Sequence, residues 1–246
     1  MSGIHTVYRK STGANFVGVE SKIYLPAICV CRENSPTSSG YNGAFPEFFH
    51  GFYKGSSYGL DIGIMYKSGS YRLFFYSYKN TQSTQWFTSS KTFNVGSTYD
   101  SRLFTLKSYF QNGYLVTRCY NSSGTVVASL DVFLDSTAYA SMSKGCTINR
   151  EMCLAINKDS AGKINVPASC YFSQAKWTQT KMTTASGSVV AMTNSNTTTQ
   201  HGKVDSGTPT STYAKQDLLG VTESGYVADV ATATFDKSTY PVKVIS

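Results

Sequence analysis

Short runs of alternating apolar and polar residues, each closed by turn residues, recur along this chain with almost no helical periodicity between them, and that pattern confines it to strands. Eleven runs stand out: 22–31, 45–53, 60–66, 71–79, 103–111, 114–120, 125–134, 146–157, 169–180, 188–193 and 226–235. Between them lie the hairpin signals Ser68-Gly69, Asn112-Gly113, Ser123-Gly124 and Ser186-Gly187, and a longer connection over 158–163. Asn112-Gly113 is the strongest, because both residues accept the positive φ angles of a two-residue turn and both flanks alternate. Two short helices are expected, over 135–144 and over 212–219 before Gly220.

The composition agrees. With 34 Ser and 28 Thr, 62 of 246 residues are small and hydroxylated, and 18 Tyr and 14 Phe supply most of the rings, a mixture that favours strands. With little helix to cover a parallel sheet, the expectation is an all-β antiparallel sandwich of about 11 strands or more in one domain over residues 1–246. Residues 1–20 read as an N-terminal arm and 194–211 as a long polar loop. In the run 71–79, Tyr71, Leu73 and Phe75 share one face while Arg72, Phe74, Tyr76 and Tyr78 share the other. A core needs one of these sets; the other can line a binding face.

Other chemistries find little support. The longest apolar stretch, Ile23 to Cys31, is interrupted by Pro26 and is well short of the roughly 20 residues that span a bilayer. The start, Met1 to Thr6, has neither the basic end nor the apolar core of a secretory signal, so the expectation is cytoplasmic synthesis, with any release non-classical or by incorporation into a particle. The net charge of +8 is uneven: residues 1–123 hold 12 basic and 5 acidic side chains, a net +7. These basic residues are scattered singly, so a solvated basic surface is favoured over nucleic-acid binding. Six cysteines without a CxxC pair and three distant histidines point to no metal or other cofactor. Gly55-Ser56-Ser57-Tyr58-Gly59 matches the GxSxG nucleophile pattern, but a strand-like run follows it where that motif needs a helix, so it reads as a hairpin loop. None of the five glutamates has an acidic neighbour within four residues, so the paired carboxylates of sandwich-type glycanases are missing from any one strand.

Two stretches nevertheless resemble a known superfamily. Phe49-His50-Gly51-Phe52-Tyr53 with Leu60-Asp61-Ile62-Gly63, and Arg150-Glu151-Met152-Cys153-Leu154-Ala155-Ile156 followed by Val166-Pro167 and Tyr171-Phe172-Ser173-Gln174-Ala175, are similar in order and spacing to the concanavalin A-like jelly-roll superfamily. Within it they are nearest in pattern to the glutamic peptidases. The resemblance implies a jelly-roll sandwich and places Glu151 where that family has its catalytic Glu. Asp61 stands where the family has a Gln that donates to an oxyanion, which an ionised carboxylate cannot do.

Two readings follow. In the preferred one the catalytic pair has lapsed. The fold then recognises glycan or protein through Tyr53, Tyr76, Tyr78, Trp86 and Trp177, and assembles with copies of itself as a subunit of an appendage, coat, inclusion or virion. In the alternative, Asp61 and Glu151 face one another as an acid-acting hydrolase pair.

Overall fold

A computed structural model describes residues 2–27, 29–30, 44–79, 81, 86–156, 170–204, 219–223, 226–235 and 243–244. They form a two-layered antiparallel β-sandwich.

The first layer has seven strands. Across the sheet these are β14 (Thr197–Val204), β1 (Ser2–Ser11), β11 (Thr147–Ile156), β4 (Ala44–Lys54), β5 (Tyr58–Lys67), β6 (Ser70–Lys79) and β7 (Trp86–Phe93). The second layer has ten strands. Its main path runs β10 (Val126–Phe133), β9 (Tyr114–Asn121), β8 (Leu103–Gln111), β2 (Phe16–Tyr24), β12 (Cys170–Thr184), β16 (Tyr226–Phe235) and β15 (Leu219–Glu223). Short strands β3 (Cys29–Val30) and β13 (Val189–Ala191) pair with β12, and β17 (Lys243–Val244) pairs with β16. Two helices, α1 (Tyr99–Arg102) and α2 (Ser136–Met142), are the helical elements among the described residues. The second matches the helix expected over 135–144.

The turns behave as their residues require. At Ser68-Gly69 φ is +52° and +75°, and at Asn112-Gly113 it is +50° and +87°, so both central residues are left-handed and the strands meet in two-residue hairpins. Gly55-Ser56-Ser57 is the bend between β4 and β5, as read from the sequence.

Two expectations are corrected. The supposed N-terminal arm holds β1, which pairs with β11 on one side and β14 on the other, and β14 itself lies inside the supposed polar loop. Both segments are poor in alternating apolar residues, and their partners are distant in sequence, so no local pattern marks them. The 158–163 connection, residues 205–211 of the loop and residues 212–218 of the expected second helix lie outside the described residues.

The core lies between the layers. Phe48, Ile64, Leu73 and Met152 from the first sheet meet Ile23, Leu106, Cys119, Phe172 and Trp177 from the second. A second cluster joins Phe52, Leu60, Ile62 and Phe75 to Val19, Leu115, Val132 and Met182. Tyr71, Leu73 and Phe75 face inward as read from the sequence.

Polar groups tie the layers together inside this core. The Ser21 hydroxyl lies 2.9 Å from His50 Nε2 and 2.9 Å from Thr180 Oγ1, and Arg150 donates to Thr180 Oγ1 at 2.8 Å. All four residues are fully buried. Thr180 reaches this position because β12 carries an extra residue between Thr178 and Lys181, with Gln179 at φ +49°. That bulge resets the alternation, so that Trp177, Thr180 and Met182 all point inward. Burial, then the neighbouring Arg150 charge, push the His50 imidazole down to about 3.

Two outcomes are expected. Gly113→Ala forces a Cβ into a left-handed position 3.3 Å from the Phe133 ring and should cost about 1–2 kcal/mol, seen as a lower urea midpoint; an unchanged midpoint would contradict the turn assignment. His50 binds no proton in the folded chain until pH approaches 3, whereas an unfolded chain takes one up near pH 6.5. Its contribution to stability is therefore complete above about pH 6.5 and falls as pH drops toward 3, by roughly 2 kcal/mol at pH 5. Urea titrations across that window should be steeper for the wild type than for His50→Gln.

Candidate functional site

Because side chains alternate, the first sheet has a second face turned away from the core, and the register shows what it carries. One transverse row runs Asn149, Gly51, Asp61, Tyr76 and Trp86 across β11, β4, β5, β6 and β7. The next row toward the buried end is Glu151, Phe49, Gly63, Phe74 and Thr88. Phe45, Phe49, Met65, Phe74 and Cys153 form a small apolar cluster on this face, with Tyr76 and Trp86 packed at its margin. Trp86 stacks on Phe74 with ring centroids 5.4 Å apart and lies 6.1 Å from Tyr76. Both margin rings are half-buried, so each keeps a share of its surface for a ligand.

Tyr53 and Asp61 form a clasp beside these rings. The Tyr53 hydroxyl donates to Asp61 Oδ1 at 2.6 Å. Its ring passes over Gly51, where an added Cβ would sit 2.4 Å from Tyr53 Cε2 and 2.9 Å from Asp61 Oδ1. Gly51 is therefore required by the close approach of the ring. Asp61 Oδ1 acts here as an acceptor.

Glu151 shares this face, two strands from Asp61 and one two-residue step along. From strand spacing and rise their Cα atoms are roughly 12 Å apart. Glu151 is 2% exposed, whereas Asp61 is half-buried. Asn149 Nδ2 donates to Glu151 Oε1 at 3.3 Å. The structure thus brings Tyr53, Asp61, Tyr76 and Trp86 together at a partly open surface and sets Glu151 on the same face under cover. Tyr78 pairs through its backbone with Gly59 on β5, and its side chain lies outside the described residues.

Trp177 requires correction. It lies on the second sheet and is fully buried in the inter-sheet core, its indole nitrogen donating to the Glu151 carbonyl oxygen at 3.1 Å and its ring 5.4 Å from His50. It supports the strand that carries Glu151 and offers no plate to a ligand. The residue that sequence reasoning missed is Asn149, two positions before Glu151 and therefore on its face.

No protein-family model matches the chain, and no curated protein matches it. Among solved structures it is similar to an uncharacterized protein from Mycobacterium paratuberculosis, at 16% identity and a TM-score of 0.32 over 63% of this chain and 70% of that one. It is also similar to the kappa-carrageenase of Pseudoalteromonas carrageenovora, solved with an oligotetrasaccharide of kappa-carrageenan, at 11% identity and a TM-score of 0.35 over 65% of this chain and 60% of that one. A third likeness is to the endo-1,3-beta-glucanase of Streptomyces sioyaensis, at 11% identity and a TM-score of 0.34 over 65% of this chain and 66% of that one. Such partial superpositions assign neither substrate nor site residues to this chain.

The clasp predicts a coupled pair. Tyr53→Phe and Asp61→Asn should each lower stability by about 1 kcal/mol, and the double variant should cost no more than about the same, as read from urea midpoints in a double-mutant cycle. Full additivity would show that the two groups do not interact.

Proposed function

We propose that this chain is a glycan-recognition module that binds a sugar on the outer face of its seven-stranded sheet without transforming it. The carrying observation is the Tyr53–Asp61 clasp set beside the half-buried rings of Tyr76 and Trp86. A pyranose presents an apolar C–H face and a rim of hydroxyl donors, so it is held by a flat ring on one side and an oriented acceptor at the edge. Trp86, fixed in place by its stacking on Phe74, serves as the plate. Asp61, fixed by Tyr53, serves as the acceptor.

The same-face placement of Asp61 and Glu151 favours a second reading, an acid-acting hydrolase. Two features count against it: Glu151 is 2% exposed, and Asp61 accepts a hydrogen bond where an oxyanion would need a donor.

A glycan array probed with the purified protein should show retention of a defined sugar class. Affinity should fall about tenfold in Trp86→Ala, the scale of losing one stacked ring, and fall again in Asp61→Asn. Folded protein that retains no glycan would overturn the proposal. So would polysaccharide or casein cleavage at pH 3–5 that disappears in Glu151→Gln, which would install the hydrolase in its place.

A further inference from the structure

The second sheet also has an outer face, and there the pairing gathers basic residues that the sequence scatters. Lys181, Glu20, Lys107 and Arg118 are successive cross-strand partners on β12, β2, β8 and β9. They alternate with the buried Val19, Ser21, Leu106, Thr117 and Cys119, so they point away from the core. Lys22 lies one step along β2, and Lys176 one step further on β12, opposite Tyr24. Among the described residues on β12, β2, β8, β9 and β10, this face holds five basic side chains (Lys22, Lys107, Arg118, Lys176 and Lys181) against two acidic ones (Glu20 and Asp131), a net +3.

Lys107 and Arg118 sit directly opposite one another, a like-charge pair. Each has a carboxylate at its side: Lys107 Nζ lies 3.3 Å from Glu20, and Arg118 binds both oxygens of Asp131, which raises its affinity for the proton. Two open clefts, of about 250 and 240 Å³, adjoin this row, and both are lined by Glu20 and Lys107. Lys22, Thr105 and Tyr120 are among the residues that also line one; Tyr109, Lys181 and Thr183 are among those that line the other.

We propose that this face binds a linear anionic polysaccharide, with its acidic groups on Lys22, Lys107 and Lys181 and its hydroxyls donating to Glu20. Cationic clefts concentrate a polyanion by their summed field, and threonine hydroxyls beside them match a sugar's hydroxyls. One observation favours this ligand over single-stranded nucleic acid: Glu20 stands in the middle of the cationic row, where it opposes an unbroken phosphodiester charge but accepts from a sugar hydroxyl. The proposal is independent of the aromatic face of the other sheet.

Native gels cast with heparin, with polygalacturonate or with neutral dextran test it. The wild type should be slowed by heparin or polygalacturonate, in a manner relieved by salt, and not by dextran; the active polymer identifies the acidic group as sulfate or carboxylate. Lys107→Gln/Lys181→Gln should bind at least about tenfold more weakly, each single variant should be intermediate, and Lys91→Gln, an exposed charge on β7 of the other sheet, should bind like the wild type. Equal retardation of the double variant, retardation by neither anionic polymer, or equally strong binding of a thymidine oligonucleotide would overturn the proposal. An equal loss on Lys91→Gln would show that net charge and not this face is read, and would overturn it as well.

Discussion

The two-residue period of β4, β5, β6 and β11 is the constraint on which everything else in this molecule rests. In β4, Phe48 and Phe52 enter the core beside the buried His50, while Glu47, Phe49, Gly51 and Tyr53 turn outward. In β5, Leu60, Ile62 and Ile64 go in and Asp61 goes out. A slip of one residue would drive Asp61 and Glu151 into the sandwich and expose the isoleucines, so burial of the apolar set fixes the outer face at the same time. The two-residue turn at Ser68-Gly69 leaves no slack between β5 and β6, which aligns Tyr76 with Asp61.

That constraint also decides what could be read in advance. The run expected over 103–111 coincides with β8, and that over 226–235 with β16, because alternation and flanking turn residues agree there. The strand β1 could not be seen: its sequence alternates weakly, and its position between β14 and β11 depends on partners far along the chain. On the outer face, the row of Asp61, Tyr76 and Trp86 follows from the pairing of β5, β6 and β7 and not from the spacing of these residues in the sequence. The clasp was not, since it needs the ring of Tyr53 to cross Gly51, and nothing in the spacing reports that approach. Trp177 was misplaced because its aromatic type does not report which face it takes: it shares the inward face of Ala175, two residues earlier, and alternation alone carries its ring into the core.

The polar tie of Ser21, His50, Thr180 and Arg150 lies directly under the outer face. Hydroxyls and rings buried in an apolar core carry a desolvation cost that only their mutual hydrogen bonds offset, so the two sheets are held where those bonds form. Arg150 is the residue between Asn149 and Glu151, and Trp177 holds the Glu151 carbonyl from the opposite sheet. The outer row is therefore positioned by contacts that cross the whole sandwich. A change in the core at this level would move Glu151 before it moved Trp86.

The two outer faces differ in chemistry. One sets the carboxylates Glu47, Asp61 and Glu151 among aromatic rings; the other sets Lys181, Lys107 and Arg118 in a row with Glu20. Stacked sheets lie about 10 Å apart, and each outer face lies a side-chain length beyond, so a single short oligosaccharide cannot touch both.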